Sequence, residues 1–344
     1  MNKKGIPKTY AEAGIDLSKE SRILRNINTY VKESFKLGNV LSKEGHYANL
    51  IKFGKHGLAL ATDGVGTKLL IAQKTGRFDT IGIDCVAMNV NDLLSMGIEP
   101  CAFTDYLAVA DFQEDVIDNI MKGLAEGCKQ AGIPLIGGEL AKIPELLAKN
   151  VNSFDLAGTA LGMVSVERII DGSDIKIGDK IIGITSSGVH SNGYTILRKV
   201  LSIKYEYSED FPWGINVGEE LLVPTRIYVE AIMSLLKSCE VHGLAHITGG
   251  AFKKLFRITD LGFKFEEWCE IPKIFEEIQS VGNIDFQEMF SVFNMGIGFI
   301  VIVPESEVKK ALEVLSSHFE SYLLGEIIKD PIIEIKKFNV IFTR

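Results

Sequence analysis

The spacing of apolar residues divides the first half of the chain into alternating helices and strands. Apolar side chains recur every three or four positions along residues 18–35, which predicts a helix. From position 57 they alternate with other residues up to Asp63, which predicts a strand that ends in a glycine-containing turn. A helix is predicted over 79–96 and should end at Gly97, because glycine readily adopts the left-handed conformation that closes many helices. The same reasoning predicts strands at 101–108, 134–137 and 154–164 and a helix at 113–131.

A polar, turn-rich segment at 171–179 lies between two predicted strands and marks a domain boundary. We therefore predict an N-terminal domain of residues 1–168 and a C-terminal domain of residues 169–344. The second domain again combines strands and helices. The fold class predicted for both is α/β, and no internal repeat is visible. Elements predicted in the second domain are strands at 180–185 and 294–303 and helices at 224–236 and 305–316.

Composition narrows the possible functions. The 344 residues include 37 Lys and Arg against 45 Asp and Glu, and a net charge of −8 repels nucleic-acid backbones and anionic membranes. Small soluble molecules are therefore the expected partners, with no nucleic acid and no membrane. The longest apolar run, at 296–303, is far shorter than the roughly 18 residues typical of a membrane span. Five widely spaced cysteines without a CxxC pair indicate reduced thiols and a cytoplasmic location.

The string ATDGVGTK at 61–68 is the first candidate site. A strand brings Asp63 into a turn where Gly64 and Gly66 permit close approach of a ligand to the backbone, and Lys68 follows. These residues suit a metal ion or a phosphate group. The string matches neither GxxxxGK[ST] nor GxGxxG. A common Asp-Gly hairpin turn with a solvated lysine is the alternative interpretation.

Polar residues form a stripe on the helix that follows this turn. Asp84, Asn91 and Ser95 are spaced by three or four residues together with Met88 on a segment that is otherwise apolar. The stripe either needs partners inside the protein or faces solvent. Asp92 lies beside it, and carboxylates near glycine turns suit hard cations such as Mg²⁺.

A third carboxylate follows a pair of glycines in the string IGGE. Gly137 and Gly138 come after a predicted strand and expose backbone N–H groups beside Glu139. Three strand or helix ends in the first domain thus combine acidic residues with glycine or polar neighbours. Simple turns are a weak explanation for all of them together.

Two strings of the second domain are predicted to bind anions. SSGVHSNG at 186–193 and HITGG at 246–250 each combine hydroxyl groups with glycines before a helix, where free backbone N–H groups attract negative charge. His190 is positioned to donate a hydrogen bond to such an anion. Helix capping by serine and asparagine is the alternative. His246 is expected to be structural or to face a phosphate, and a zinc pair with His242 is disfavoured because the segment reads as a strand.

These strings, in this order, resemble the phosphoribosylformylglycinamidine cyclo-ligase family, also called aminoimidazole ribonucleotide (AIR) synthetases. The resemblance covers nearly the whole chain and includes TYAEAGID at 9–16, LVPTRIY at 222–228 and FNMGIG at 293–298. It implies ATP-dependent cyclisation of formylglycinamidine ribonucleotide to aminoimidazole ribonucleotide, with release of ADP and phosphate, in purine biosynthesis. It also implies a homodimer in which the N-terminal sheets join into a barrel.

The resemblance implies a role for each matching residue. Asp63, Asp92 and Glu139 would hold Mg²⁺ with the ATP phosphates, Lys68 would neutralise phosphate charge, and His190 would act as a proton shuttle or donor. The implied ATP-binding residues are Asp63, Gly64, Gly66, Thr67, Lys68, Asp84, Asn91, Asp92, Gly137, Gly138 and Glu139. The implied substrate-binding residues are Ser187, His190, Ser191, Asn192, Thr248, Gly249 and Gly250.

The chain departs from the family pattern at two places. The glycine run that usually precedes the first strand is GNVLSKEGHYANLIKF here, and the family's GGET is GGEL, with Leu140 in place of threonine.

Other functions are alternatives to this one. A selenophosphate synthetase would need an N-terminal cysteine, whereas the first cysteine is Cys85. Thiamine-monophosphate kinases share the acidic and glycine pattern. A nucleotide-binding regulatory protein without turnover is the alternative outside the enzymes.

Overall fold

The helices predicted at 18–35, 79–96, 113–131 and 305–316 are present with bounds shifted by at most three residues, whereas the helix predicted over 224–236 begins only at Val229. The computed structural model describes residue 9 and residues 17–41, 48–147 and 152–344. All of the TYAEAGID motif after Thr9 lies outside these residues. The helices are α1 (Leu17–Phe35), α2 (Leu69–Thr75), α3 (Ile81–Leu94), α4 (Glu114–Ala131), α5 (Tyr194–Leu201), α6 (Val217–Leu221), α7 (Val229–Ser238), α8 (Lys273–Gly282), α9 (Phe286–Val292) and α10 (Val308–Ser316).

The strands of the described residues form two sheets, one in each half of the chain. The first contains β1 (Val40–Leu41), β2 (Asn49–Phe53), β3 (His56–Gly64), β4 (Glu99–Val109), β5 (Leu135–Lys142) and β6 (Phe154–Ser165). The second contains β7 (Lys180–Thr185), β8 (Gly243–His246), β9 (Gly262–Phe265), β10 (Ile297–Val303), β11 (Ser321–Ile328), β12 (Ile332–Ile335) and β13 (Val340–Thr343). The prediction of two α/β units is therefore confirmed.

The first sheet has the strand order β1-β2-β3-β6-β4-β5, and its neighbours are antiparallel except for the parallel pair β4 and β5. Helix α3 packs against β3, β4 and β6 on one face. Successive residues of a strand point to opposite sides of the sheet. The side chains on the face opposite α3 include exposed apolar ones. Examples on that face are Ile51, Leu60, Tyr106 and Met163.

The second sheet has the order β13-β12-β9-β11-β7-β10-β8 and is antiparallel except between β12 and β9. Strand β10, IGFIVIV, is buried along its whole length, as expected for a continuous apolar run inside a sheet. The chain passes from the first sheet to the second between Ser165 and Lys180.

Helix α3 joins the two sheets. It contacts the first sheet and also β8 and α7 of the second half. Gly97, with φ +69°, follows the helix in the left-handed conformation expected for its end. Because α3 is buried from both sides, its polar residues must find partners within the protein. No helix in the described ranges has the length and apolar character needed to cross a lipid bilayer.

Candidate active site

Two carboxylates of the first domain meet a histidine of the second. Asp63 lies at the end of β3, and Asp92 lies on α3. Burial, followed by the negative charge of Asp92, raises the pKa of Asp63. Asp92 Oδ1 is 2.9 Å from Nδ1 of the buried His246, whose backbone N–H donates to Ser95 Oγ at 2.9 Å. Acidic groups of one domain and a histidine of the other thus lie together where the two domains meet, and we refer to this junction as the cleft.

Glu139 does not join this pair. Asp63 and Asp105 both pair with Gly158 of β6, so they share the sheet face covered by α3. Gly138 pairs with Asp105, and Glu139 pairs with the exposed Tyr106 on the opposite face. Within the described residues, no group of three His, Cys, Asp or Glu side chains is arranged to hold a metal ion. The structure brings two of the three predicted metal ligands together, and not the third.

The glycine pair before Glu139 has a packing role. A Cβ atom on Gly138 would lie 2.3 Å from Asp105 Oδ1, so a larger residue does not fit beside that carboxylate. Burial raises the pKa of Asp105, which sequence analysis missed because it lies inside the predicted strand. Gly137 has φ +152°.

Asp105, Gly137 and Gly138 border a cavity of about 400 Å³ with mainly apolar walls. A larger cavity of about 760 Å³, beside Arg168, has no predicted site residue among its described lining.

Lys68 is fully buried, and its ammonium group contacts other groups of the protein. Its Nζ is 2.7 Å from Asp84 Oδ2 and donates to the backbone oxygens of His190 at 3.1 Å and Val223 at 2.7 Å. The ammonium group thus has three polar contacts, all of them with groups of the protein. The expectation that Lys68 neutralises a phosphate is not supported by this arrangement. Lys68 instead links the first domain to two loops of the second.

Asp84 completes this link from α3. Its Oδ1 accepts hydrogen bonds from Ser191 Oγ at 2.9 Å and from the backbone N–H and the hydroxyl of Thr225, at 2.8 and 2.7 Å. The side chain is fully buried. Asp84 was expected to line the nucleotide site, but its oxygens are occupied by protein groups. Sequence analysis gave Thr225 no role, although it had noted the string LVPTRIY that contains it.

Asn91 is the next interface residue along the polar stripe. Its Nδ2 donates to the oxygen of Arg226 at 2.8 Å, and its Oδ1 accepts from the N–H of Tyr228 at 3.1 Å. Asn91 is buried, so it too holds the domains together and does not face an open nucleotide site. The predicted stripe is real, and its partners are backbone and side-chain groups of the second domain.

His190 is buried and neutral. Burial, followed by the nearby His246 and Lys68, keeps the pKa of His190 well below its usual range. Its Nε2 accepts from the N–H of Ser187 at 3.2 Å, which leaves the proton on Nδ1. Within the described residues this Nδ1 is buried without a hydrogen-bond partner. The lowered pKa and this geometry favour a neutral N–H donor over a shuttle that titrates near neutral pH.

Gly298 explains how His190 fits against β10. A Cβ on Gly298 would lie 2.5 Å from His190 Cε1 and 2.1 Å from the Tyr228 hydroxyl oxygen. His190 itself has φ +64°, a conformation that few residues other than glycine adopt. Tight packing therefore holds the imidazole in place.

Of the other polar residues in the SSGVHSNG string, Ser187 is hydrogen-bonded within the second domain and Asn192 lies beside the Thr248–Gly250 turn. Ser187 Oγ donates to the oxygen of Pro224 at 2.6 Å, so its hydroxyl is engaged internally. Asn192 lies over the second glycine turn, where its Oδ1 is 2.9 Å from the position of a Cβ on Gly249. The structure thus brings Asn192 together with the Thr248–Gly250 turn, as two parts of one surface.

The Thr248–Gly250 turn contains a residue that sequence analysis missed. Gly250 has φ +82° and precedes a 3-10 helix, Ala251–Arg257. Lys254, on this helix, donates a hydrogen bond from Nζ to Thr248 Oγ1. In the sequence it is one of two adjacent lysines and looks like an ordinary surface charge.

The turn after Asp63 faces the second domain as well. Gly64 donates its N–H to Asp63 Oδ1 at 2.8 Å, and Gly66 has φ +74°. Thr67 Oγ1 lies 3.2 Å from the hydroxyl of Thr195 on α5. Gly66 and Thr67 are exposed at the edge of the cleft.

The sequence matches a known protein family along most of its length. Residues 45–164 match the N-terminal domain of AIR synthase related proteins, and residues 176–337 match the C-terminal domain. The chain belongs to this family. Among its relatives is the phosphoribosylformylglycinamidine cyclo-ligase of Thermococcus kodakarensis, 48% identical over 337 residues that cover 96% of this chain and 99% of the relative. The cyclo-ligase of Methanococcoides burtonii is 46% identical over 338 residues, covering 96% and 98%.

Solved structures with low sequence identity share the fold. A HypE–HypF complex chain has a TM-score of 0.62 at 19% identity and covers 88% of this chain and 94% of its own. Thiamine monophosphate kinase from Aquifex aeolicus has a TM-score of 0.62 at 13% identity, covering 90% and 95%. These likenesses support the two-domain architecture and say nothing about the substrate.

Proposed function

We propose that this protein is a phosphoribosylformylglycinamidine cyclo-ligase, which converts formylglycinamidine ribonucleotide and ATP into aminoimidazole ribonucleotide, ADP and phosphate in purine biosynthesis. Relatives with this name match it along almost their whole length. The structural observation that carries the proposal is the cleft in which Asp63 and Asp92 of one domain face His246 and the Thr248–Gly250 turn of the other.

The proposed reaction needs a phosphoryl transfer because an amide oxygen is a poor leaving group. The γ-phosphoryl group of ATP is transferred to the formyl oxygen, which gives ADP and an iminophosphate. The ring-forming nitrogen then attacks the formyl carbon, and the oxygen departs with phosphate. Such a transfer depends on positioning and electrostatic stabilisation more than on a protein nucleophile. This agrees with a cleft built from carboxylates, a glycine turn and buried histidines.

Asp63 and Asp92 fit the requirements of Mg²⁺. Asp63 is a largely buried carboxyl group whose pKa is raised by burial and by Asp92, so a bound cation would relieve their repulsion. Oxygen ligands are those that Mg²⁺ prefers, and the ion would neutralise phosphate charge. Glu139 is left out of this pair because it lies on the other face of the sheet. Lys68, Asp84 and Asn91 are assigned to the domain interface.

The second domain would bind phosphate and orient the amidine substrate. Asn192 and the Thr248–Gly250 turn supply polar side chains and backbone N–H groups. The Nδ1–H of His190 and the Nε2 of His246 are buried without partners among the described residues, and we propose that each meets a polar group of the bound substrate. His190 is proposed to donate to the formyl oxygen or to the phosphoryl group it receives.

A cytoplasmic homodimer is part of the proposal. The apolar face of the first sheet exposes Leu60 to 63% and Ile51 to 57%, which suits burial against a second copy of the same sheet. The five cysteines are unpaired, as expected in a reducing compartment.

The test is a product assay with the purified protein, ATP, MgCl₂ and formylglycinamidine ribonucleotide. We expect aminoimidazole ribonucleotide, ADP and phosphate in equal amounts, measured by mass spectrometry and phosphate release. Omission of the amidine substrate is the control and should abolish phosphate release. Binding of ATP without product or phosphate would favour the nucleotide-binding regulatory protein instead.

A further inference from the structure

Lys254 folds back over the glycine turn of the second domain. Its Nζ donates to Thr248 Oγ1, and its Cγ and Cε atoms lie 3.8 Å from the position of a Cβ on Gly250. A lysine in free solvent would extend away from the backbone to hydrate its ammonium group. This lysine instead keeps its ammonium group at the turn, in contact with the hydroxyl of Thr248.

The turn itself faces the acidic side of the cleft. His246, two residues before Thr248, is hydrogen-bonded to Asp92, and Gly249 packs against Asn192. The charge of Lys254 is also close enough to Asp63 to lower the pKa of that carboxyl group, against the opposing effect of burial. An ammonium group, two carboxylates and a glycine turn therefore surround the same part of the cleft.

Two other lysines cannot take this position. Lys68 is fully buried and its Nζ contacts Asp84 and two backbone oxygens. Lys253, the neighbour of Lys254, is exposed and lies with Nζ 5.0 Å from the centre of the Phe342 ring.

We infer that Lys254 binds a phosphate group at the Thr248–Gly250 turn and supplies the positive charge that sequence analysis assigned to Lys68. Charged hydrogen bonds to phosphate are stronger than neutral ones, and glycine turns supply further N–H donors to the same group. The inference rests on the proposed function, in which both ATP and the ribonucleotide carry phosphate. The experiment has to show which of the two is bound here.

The test compares Lys254→Met with Lys253→Met as the matched control. Loss of a charged hydrogen bond predicts an increase of about 10- to 150-fold in KM for either ATP or formylglycinamidine ribonucleotide, each varied separately. Lys253→Met should leave both KM values unchanged. Lys254→Arg should restore part of the affinity, and all three variants should melt close to the wild-type temperature.

The outcomes separate the inference from the proposed function. An increase in KM for ATP assigns the turn to the nucleotide, and an increase for the ribonucleotide assigns it to the substrate. If the wild type forms product and Lys254→Met changes neither KM by more than about twofold, the inference is wrong and the function stands. If the wild type forms no product, titration calorimetry with ADP and with inorganic phosphate still tests Lys254. Equal affinity of wild type and Lys254→Met for both probes would then overturn the inference.

Discussion

Replacing Lys68 with methionine should destabilise the protein strongly. Lys68 and Asp84 are both fully buried, and their charged atoms lie 2.7 Å apart. Removal of one partner leaves an uncompensated buried charge, which costs about 3–5 kcal/mol in other proteins. Typical domains are stable by only about 5–15 kcal/mol, so this loss is a large fraction of the total. Urea denaturation followed by fluorescence should show a markedly lower midpoint for Lys68→Met.

The matched control is the exposed ion pair between Lys142 and Asp111. Their side chains are 43% and 48% exposed and their charged atoms lie 2.6 Å apart. Surface ion pairs contribute about 0–1 kcal/mol, so Lys142→Met should unfold near the wild-type urea concentration. In the double variant Lys68→Met/Asp84→Asn the loss should be smaller than the sum of the single losses, because neither buried charge remains.

The reasoning would be refuted by a Lys68→Met protein that is as stable as Lys142→Met. A second refuting result is a higher KM for ATP with unchanged stability, because that is the behaviour of a phosphate-binding lysine. The first result would mean that the buried pair contributes little to stability, and the second that Lys68 contacts the nucleotide.

Two further predictions concern Asp63 in the candidate site and His242 in the second domain. Asp63→Asn should lower kcat by about 10² or more in the product assay, because a charge near the transferred phosphoryl group is lost. Its melting temperature should match or exceed that of wild type, since repulsion from Asp92 disappears; a fully active variant would remove Asp63 from the site. His242 is buried, which lowers its pKa, but hydrogen bonds with Asp179 at 2.7 Å and Glu240 at 2.9 Å outweigh this and raise it. The resulting stability should be present below about pH 6.5 and lost as pH rises through the higher folded pKa, so urea midpoints of wild type and His242→Gln should converge from pH 6 to 8; parallel curves would contradict this.

Helix α3 shows what apolar spacing can and cannot predict. Its bounds, its terminal glycine and its polar stripe follow from local periodicity in the sequence. The partners of the stripe do not, because Thr225 lies 141 residues from Asp84 along the chain. A polar residue on a buried helix can face a ligand or another domain, and only the packing of the domains distinguishes these possibilities.

Strand register explains why Glu139 lies on the face of the sheet opposite Asp63. The pairing of β4 with β5 shifts between Phe103 and Asp105. A shift of one residue moves every later side chain to the opposite face of a sheet, so the face of Glu139 depends on an irregularity that local sequence patterns do not mark. Gly138 was predicted to approach a ligand, and its small size is required by Asp105 instead.

Lys254 illustrates a different limit. Lys253 and Lys254 are identical in type and adjacent in sequence, yet one contacts an aromatic ring and the other folds over a glycine turn. The positive φ of Gly250 sets the direction in which the following 3-10 helix leaves the turn, and hence which lysine reaches Thr248.

The central claim is that a phosphoryl group is transferred to the formyl oxygen, which then leaves as part of phosphate. Formylglycinamidine ribonucleotide labelled with oxygen-18 at the formyl group tests this directly, with mass spectrometry of the phosphate released during one turnover. We predict that the label is recovered in inorganic phosphate. Recovery of the label in water, with unlabelled phosphate, would contradict the account.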